Sequence, residues 1–301
     1  MTSQTMKTLG IIFLVVAVLF APSLIWARPI YIGDIYPRPA DAIKRAWPLV
    51  SYLAKQLQPE GITDGKIVVV KTIPEMADLL KEKKVDLFID SPFPAVAVSR
   101  LSGSKFLLRR WKKGVASYHT VIFVEKDSGI NQLEDLKGKI IAFEEPHNTS
   151  SYFLPKLVLV QKGLKVIQKR GASDAVAPNE VGYLFAGQDP NTMFWVLKGK
   201  VSAGVMSNEN YLLEARRYLN SLKVIHKTFT IPRHVLGYRA DLDPKLVARI
   251  KEILIKMDQS EEGKKALQDF EKTTKFDEIP KGVLNPLLQS MKFIEAEFNI
   301  K

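Results

Sequence analysis

Apolar positions along this chain change period repeatedly, and each change marks the passage from a strand to a helix or back. The first 27 residues stand apart. A short polar start with one cation, Lys7, leads into an almost unbroken apolar run from Leu9 to Ala21, then Leu24-Ile25-Trp26-Ala27 before Arg28. This is the pattern of a secretory signal, and the run is shorter than the roughly 20 residues of a bilayer-spanning helix. Cleavage after Ala27 is the preferred reading. Ile25 occupies the position where signal peptidase favours a small residue, so an uncleaved anchor is the alternative. Both readings export the body of the chain.

From Pro29 to Ile35 a β-rich stretch runs into the turn Tyr36-Pro37-Arg38-Pro39, and Ala40 to Leu57 then has helical apolar spacing. Ile67 to Val70 is a β-branched run fit for a buried strand, followed by a helix over Ile73 to Lys83 that begins near Pro74. Val85 to Ile89 predicts a third strand, and Ser91-Pro92 opens a helix over Phe93 to Leu101. Alternating strands and helices imply an α/β fold with a mainly parallel sheet covered on both faces.

Phe106 to Trp111 and Tyr118 to Lys126 read as strands, the second carrying the chain into another lobe. A second series follows: a short helix Leu133 to Gly138, a strand Lys139 to Phe143, a helix Thr149 to Lys162, a helix Pro190 to Lys198, a strand Val201 to Met206 and a helix Ser207 to Tyr218. Lys223 to Ala240 is extended, with a break at Ile231-Pro232 suited to a return crossing. Helices over Lys245 to Met257, opened by the cap Asp243 and by Pro244, over Glu261 to Glu271 and over Gly282 to Phe298 complete the pattern. The expected division is residues 28–119 plus 226–301 in one lobe and 120–225 in the other.

With no cysteine there is no disulfide framework, thiolate metal site or lipidated cysteine. A formal charge of +12 and a pI near 9.6 would suit nucleic acid, but export and the interleaving of lysines with carboxylates, as in Lys81-Glu82-Lys83-Lys84, argue against it. A positive field does attract small anions. For catalysis the chain lacks the usual patterns. His119, His147, His226 and His234 include no His-Glu-x-x-His pair, and there is neither a Gly-x-Ser-x-Gly elbow nor a phosphate-binding Walker loop. The expectation is a binding protein that needs no cofactor or metal.

The most informative stretch is Phe143-Glu144-Glu145-Pro146-His147-Asn148-Thr149-Ser150-Ser151-Tyr152-Phe153-Leu154-Pro155, where a strand ends and hydroxyl residues open a helix. Unpaired amides at a helix start, with Thr149, Ser150 and Ser151 hydroxyls beside them, form a natural seat for an anion. On spacing alone, Asn148 or Thr149 serving as a helix cap explains the same residues.

The segment resembles the strand, Asp-Pro, Ser-Thr-Ser-Gly, helix, Pro signature of the phosphonate and phosphite substrate-binding proteins of ABC transporters. Further stretches fit in the same order: Ala46 to Leu53, Lys83 to Leu87, Tyr118 to Val124, Leu133 to Lys139, Lys198 to Val205, and Ile231-Pro232 through Asp241 to Pro244. The resemblance implies a two-lobed type 2 periplasmic-binding-protein fold, with the ligand in the cleft between lobes. It implies ligand contacts at Thr149, Ser150 and Ser151, at Tyr118, at Ser91 with its neighbours, and at Tyr36. Tyr118 is also readable as a core tyrosine between the lobes.

The departures from the family pattern bear on the ligand. Asn148 and Ser151 stand where the family has Ser and Gly, and Asp90 stands where it has an uncharged residue. A carboxylate there either bonds a protonated oxyanion or faces a cationic group of the ligand, and Glu144 and Glu145 could do the latter. Asp189 is readable as a cap before Pro190 or as a ligand contact, and His147 as a hydrogen-bond donor near the anion. The expected function is capture of a small oxyanion, a phosphonate or a related phosphorus oxyanion first, by a monomer that hands it to an ABC transporter permease. Docking on a membrane receptor in a sensory or accessory role is the alternative.

Overall fold

The computed structural model describes residues 27–297 other than His147 and Leu219. The proposed signal, up to Trp26, lies outside the described residues. Strand β1 (Arg28–Ile35) leads into α1 (Pro39–Gln56), whose buried Ala42, Ala46, Leu49, Val50 and Leu53 recur every three or four positions and form one apolar stripe. Then come β2 (Ile62–Val70), α2 (Ile73–Lys81), β3 (Leu87–Asp90), α3 (Pro92–Ser102) and β4 (Lys105–Lys112). A capping box fixes the start of α2: Thr72 Oγ1 accepts from the Glu75 amide, and Glu75 accepts from the Thr72 amide at 3.0 Å.

Short β5 (Ser117–Tyr118) precedes β6 (Thr120–Glu125) and β7 (Ile140–Phe143). A single π-turn, Thr149–Phe153, runs into α4 (Leu154–Gln161), followed by β8 (Lys165–Gln168), β9 (Glu180–Phe185), α5 (Asp189–Leu197), β10 (Ala203–Ser207), α6 (Asn208–Glu214) and β11 (Leu222–Lys227). The chain returns through β12 (Ile231–Pro232) and β13 (His234–Tyr238) and closes with α7 (Pro244–Ile255), α8 (Glu261–Asp269), β14 (Thr273–Asp277), α9 (Asn285–Gln289) and α10 (Met291–Glu297).

These strands build two six-stranded sheets, ordered β14-β4-β13-β3-β1-β2 and β11-β6-β10-β7-β9-β8. Both are mixed: the second is mainly parallel, as expected, with three of its five pairings parallel, and the first is not, with two of five. β2, β1 and β3 run parallel, as do β10, β7, β9 and β8, while β13, β4 and β14 in the first sheet and β6 and β11 in the second are antiparallel to their neighbours. The reason is connectivity. A returning strand such as β13 enters its sheet without a helical crossover, and only such a crossover delivers a parallel neighbour. The two passages between sheets lie side by side, Tyr118 of β5 pairing with Ile231 of β12.

Helices cover both faces of each sheet, and four apolar clusters fill the layers between. One of them spans both sheets: Phe93, Val96 and Val98 of α3 pack in the same cluster as Tyr118, Phe153, Leu154 and Leu157, with Phe93 and Phe153 stacked at 4.0 Å. β8, β9 and β14 were not foreseen from periodicity. β8 and β14 are short and partly polar, and Gly182 interrupts the apolar run of β9. Little room is left at Gly182, since a Cβ would meet Val176 and Lys169 side-chain carbons at 2.9 and 3.0 Å. The single C-terminal helix expected from Gly282 onward is broken at Ser290, whose hydroxyl donates to the Pro286 carbonyl at 2.8 Å. Among the described residues, no helix is long and apolar enough to cross a membrane.

Candidate functional site

A cavity of about 750 Å³ opens between the two sheets, where β1, β3, β7 and β9 all end. Ligands of open α/β sheets sit beyond the carboxyl ends of the strands, and here the ends of both sheets face the same space. Tyr36, Asp90, Ser91, Tyr118, Asn148, Thr149 and Ser150 line it, all of them expected from the sequence.

Hydroxyls cross the space between the sheets. Thr149 Oγ1 accepts from the Phe93 amide at 3.3 Å and donates to Ser91 Oγ at 2.8 Å, and Ser91 Oγ donates to Asp90 Oδ1 at 3.1 Å. Tyr118 is buried beside Thr149 and Ser150, and burial pushes its phenol up to about 12. It therefore stays a neutral donor at any working pH.

The helix that follows begins as a π-turn because of Pro155. A proline at that position cannot donate to the Ser151 carbonyl, and the Leu154 amide reaches back to the Thr149 carbonyl instead of that of Ser150. Both are satisfied from outside: Thr120 Oγ1 donates to the Ser150 carbonyl at 2.7 Å and the Glu144 amide to the Ser151 carbonyl at 3.1 Å. This ties the turn to β6 and to the end of β7.

Three expectations at this turn are corrected. The amides around position 150 are not left open, since Asn148 Oδ1 accepts from the Ser150 and Ser151 amides at 3.0 and 2.9 Å. Asn148 is thus the helix cap, although it also lines the cavity. Ser151 does not line the cavity; it sits behind the wall, with Glu144, which does line it, and Asp189 as neighbours. Asp189 lies there too, and it is neither cap nor lining: the cap of α5 is Gln188, and Asp189 accepts from Asn210 Nδ2. His147 lies outside the described residues.

Sequence reasoning missed the cations. Arg45, Lys71, Arg110, Lys112 and Arg233 line the cavity against five carboxylates, Asp34, Asp90, Glu144, Glu145 and Glu271. Arg45 is clamped on Asp34, with contacts at 2.6 and 2.8 Å, and stacks over the Tyr36 ring at 4.0 Å. Arg110, only 2% exposed, bonds Glu271, Thr273 Oγ1 and the Phe270 carbonyl. Lys112 reaches the same Glu271 at 2.7 Å. Burial works against the Glu271 charge, yet Arg110, Lys112 and Arg45 hold its carboxyl down at about 2. Glu271 keeps a left-handed backbone, φ 51°, a conformation that few non-glycine residues adopt and that tertiary contacts must maintain.

Arg233 is engaged far less tightly. Its nearest carboxylate, Glu209, is 3.9 Å away, and its guanidinium lies 4.9 Å from the centre of the Tyr118 ring. It follows Ile231-Pro232 directly, so the signal for it was a cation at the expected crossing. Two cavity carboxyls favour their protons. Burial, then the neighbouring Asp34 charge, raises Asp90 to about 7 against the pull of the Ser91 hydrogen bonds and Arg45. Burial also raises Glu144, with Asp189 and Glu145 beside it and Arg233 opposing. When these two are protonated, the balance of lining charge turns positive and suits an anion.

Residues 36–281 match the family described as ABC transporter, phosphonate, periplasmic substrate-binding protein. The chain is 28% identical over 179 residues to the phosphonates-binding periplasmic protein of Escherichia coli, covering 57% of this chain and 50% of that protein. It is 24% identical over 176 residues to the phosphate-import protein PhnD of Mycolicibacterium smegmatis, covering 56% and 53%. The matches thus span about half the length of these curated relatives. Among solved structures, XAC2383 from Xanthomonas citri bound to ATP superposes with a TM-score of 0.80 at 25% identity, over 90% of this chain and 98% of that one. Two mixed sheets with a polar cavity at their facing strand ends, and a family match running through nearly all of the described residues, lead to one conclusion: the chain belongs to the periplasmic substrate-binding protein family of phosphonate ABC transporters.

Proposed function

We propose that this protein captures a phosphorus oxyanion in the cavity between its sheets and delivers it, without chemical change, to an ABC transporter permease. The proposed lobes are residues 28–119 plus 226–301 and residues 120–225, hinged where β5 and β12 pair, with the protein exported and acting as a monomer. The observation that carries the reading is the set of donors from both sheets at one place: Ser91 from the first, Thr149 and Ser150 from the second, and Tyr118 and Arg233 from the crossings between them. Neutral hydroxyls and one loosely engaged guanidinium can replace the hydration of a tetrahedral anion without a second, competing negative charge.

Asp90, if protonated, supplies a further donor and does not repel the anion. Drawing the two lobes together around the ligand would exclude water and present one shape to the permease. Relatives named for phosphonate and phosphate support the phosphorus class, and the ATP carried by XAC2383 places a phosphorylated compound on the same scaffold.

The test is a thermal-shift panel over phosphate, phosphite, methylphosphonate, sulfate and small carboxylic acids. Phosphorus oxyanions should raise the melting temperature in a saturable way and the carboxylic acids should not. A panel without any stabilising phosphorus compound would remove the reading.

A further inference from the structure

The cations at the first-sheet end of the cavity are not fully matched by carboxylates. Arg45, Lys112 and Arg233 line it with side chains 26%, 18% and 15% exposed, so they present surface to a ligand. Arg110 is buried behind them and acts through its charge alone. One carboxylate, Glu271, serves Arg110, Lys112 and, at 3.7 Å, Arg45. Among the described residues the Lys112 ammonium makes one hydrogen bond, to Glu271, and Arg45 Nη1 makes none, its neighbours Nε and Nη2 being the atoms that hold Asp34. Both side chains therefore keep donors to spare. The shortage of negative charge shows at Lys112: burial, with Arg110 and Arg233 adding to it, leaves the ammonium down at about 8 despite Glu271.

His234 reports the sign of the field. It lines the same cavity from β13, opposite Arg110 of β4. After burial, the strongest influences on its ring are Arg110, Lys112, Arg233 and Arg45, all of them cations, and they push it well below the ordinary histidine range. The imidazole is therefore neutral, with a single N–H. Its Nδ1 is sealed from solvent and has no hydrogen-bond partner among the described residues. A lone pair suits that position, since it faces positive charge, and the proton then falls to Nε2 as a further donor for an anion. β13 lies between β3 and β4, with Val235 opposite Asp90. The cationic group thus begins one strand, about 5 Å, from the end of β3 where Ser91 stands.

Resting on the oxyanion reading above, we infer that the ligand carries two anionic groups: a phosphoryl group at the Ser91–Thr149 hydroxyls and a second, carboxylate or phosphoryl, against Arg45, Lys112 and His234. A ligand with one anionic group leaves the surplus of positive charge at the first sheet unanswered.

The experiment is calorimetric titration of the full-length wild-type protein with propylphosphonate, 3-phosphonopropionate and propane-1,3-diphosphonate, which share a three-carbon chain and differ in the second group. At least one of the two doubly anionic compounds should bind about 10–100-fold more tightly than propylphosphonate, the gain of one charge-assisted hydrogen bond. Whichever gains more identifies the second group as carboxylate or phosphoryl. In Lys112→Gln and in His234→Gln, the ratio of that affinity to the propylphosphonate affinity should fall towards one. If propylphosphonate binds wild type as tightly as both others, this inference fails and the oxyanion reading stands. If the gain appears but survives both substitutions, the second group sits elsewhere and the inference also fails. If none of the three binds, both readings fall together.

Discussion

At the scale of single residues, the site is a contest between burial and neighbouring charge. Arg233 has only a distant carboxylate and faces the cavity, so Arg233→Gln should weaken phosphorus oxyanion binding by about 10–100-fold, the equivalent of losing one charge-assisted hydrogen bond. Titration calorimetry measures this, and an unchanged affinity would exclude Arg233 as a contact. Asp90 makes the affinity depend on pH. Its carboxyl is raised to about 7 by burial and the Asp34 charge, with Arg45 and the Ser91 donors pulling the other way. The neutral acid, which prevails below pH 7, is compatible with an anion, so affinity should fall as pH climbs through 7. Asp90→Asn should flatten that profile. The sign for stability is the same: a raised carboxyl adds stability that is complete below the ordinary carboxylate range and is lost as pH rises through about 7. Melting temperature without ligand should therefore decline between pH 6 and pH 8, and less so in the Asp90→Asn variant.

Elements are held in place by a few buried polar anchors outside the cavity. Asp86, 1% exposed, receives Arg28 at 2.8 Å, the Tyr31 amide at 3.0 Å and Arg239 at 3.0 Å, joining the start of β1, the entry to β3 and the end of β13. Removing one partner of such a buried set costs about 3–5 kcal/mol, since the others are left uncompensated. Asp86→Ala should thus lower the chemical-denaturation midpoint strongly while leaving the per-site ligand affinity of the folded fraction unchanged. A variant as stable as the parent would show that this junction holds nothing. At the π-turn, Asn148→Ala removes the acceptor for two amides and for the Ser150 hydroxyl. It should cost about 1–2 kcal/mol and loosen the placement of Ser150, giving weaker binding as well as a lower melting temperature. An effect on stability alone would make Asn148 a cap and nothing more.

For the whole molecule, the two sheets meet through one shared apolar cluster and a narrow paired crossing, with the polar cavity beside them. Most of the surface charge lies elsewhere. Many of the ion pairs, such as Lys55 with Glu262 and Lys265 with Asp269, join exposed partners and contribute little each. The net charge of +12 therefore acts at long range, drawing anions toward the protein. The association rate for a phosphorus oxyanion should fall as salt rises from 0.01 to 0.5 M, while the dissociation rate changes little. Stopped-flow measurement of both rates would check this, and a salt-independent association rate would rule out steering.

Local patterning was enough to reveal most strands and helices in order, though not β8, β9 and β14, together with the crossings near Tyr118 and Ile231 and a hydroxyl-rich helix start after β7. Those features arise between residues close in the chain, where period, proline and capping chemistry act directly. Pairing direction was not legible, because the antiparallel partners of β3 and β6 arrive from far along the chain. Nor were the cations of the cavity. Arg45 and Arg110 come from α1 and β4, and nothing in their own segments distinguishes them from the many other basic residues, whereas Arg233 stands at the expected return crossing. Ser151 and Asp189 mark the same limit from the other side: their residue types fit an anion site, yet packing turns both behind its wall. Which donors are free and which acids keep their protons depend on desolvation and on neighbours brought in from distant parts of the chain, and those are properties of the folded arrangement.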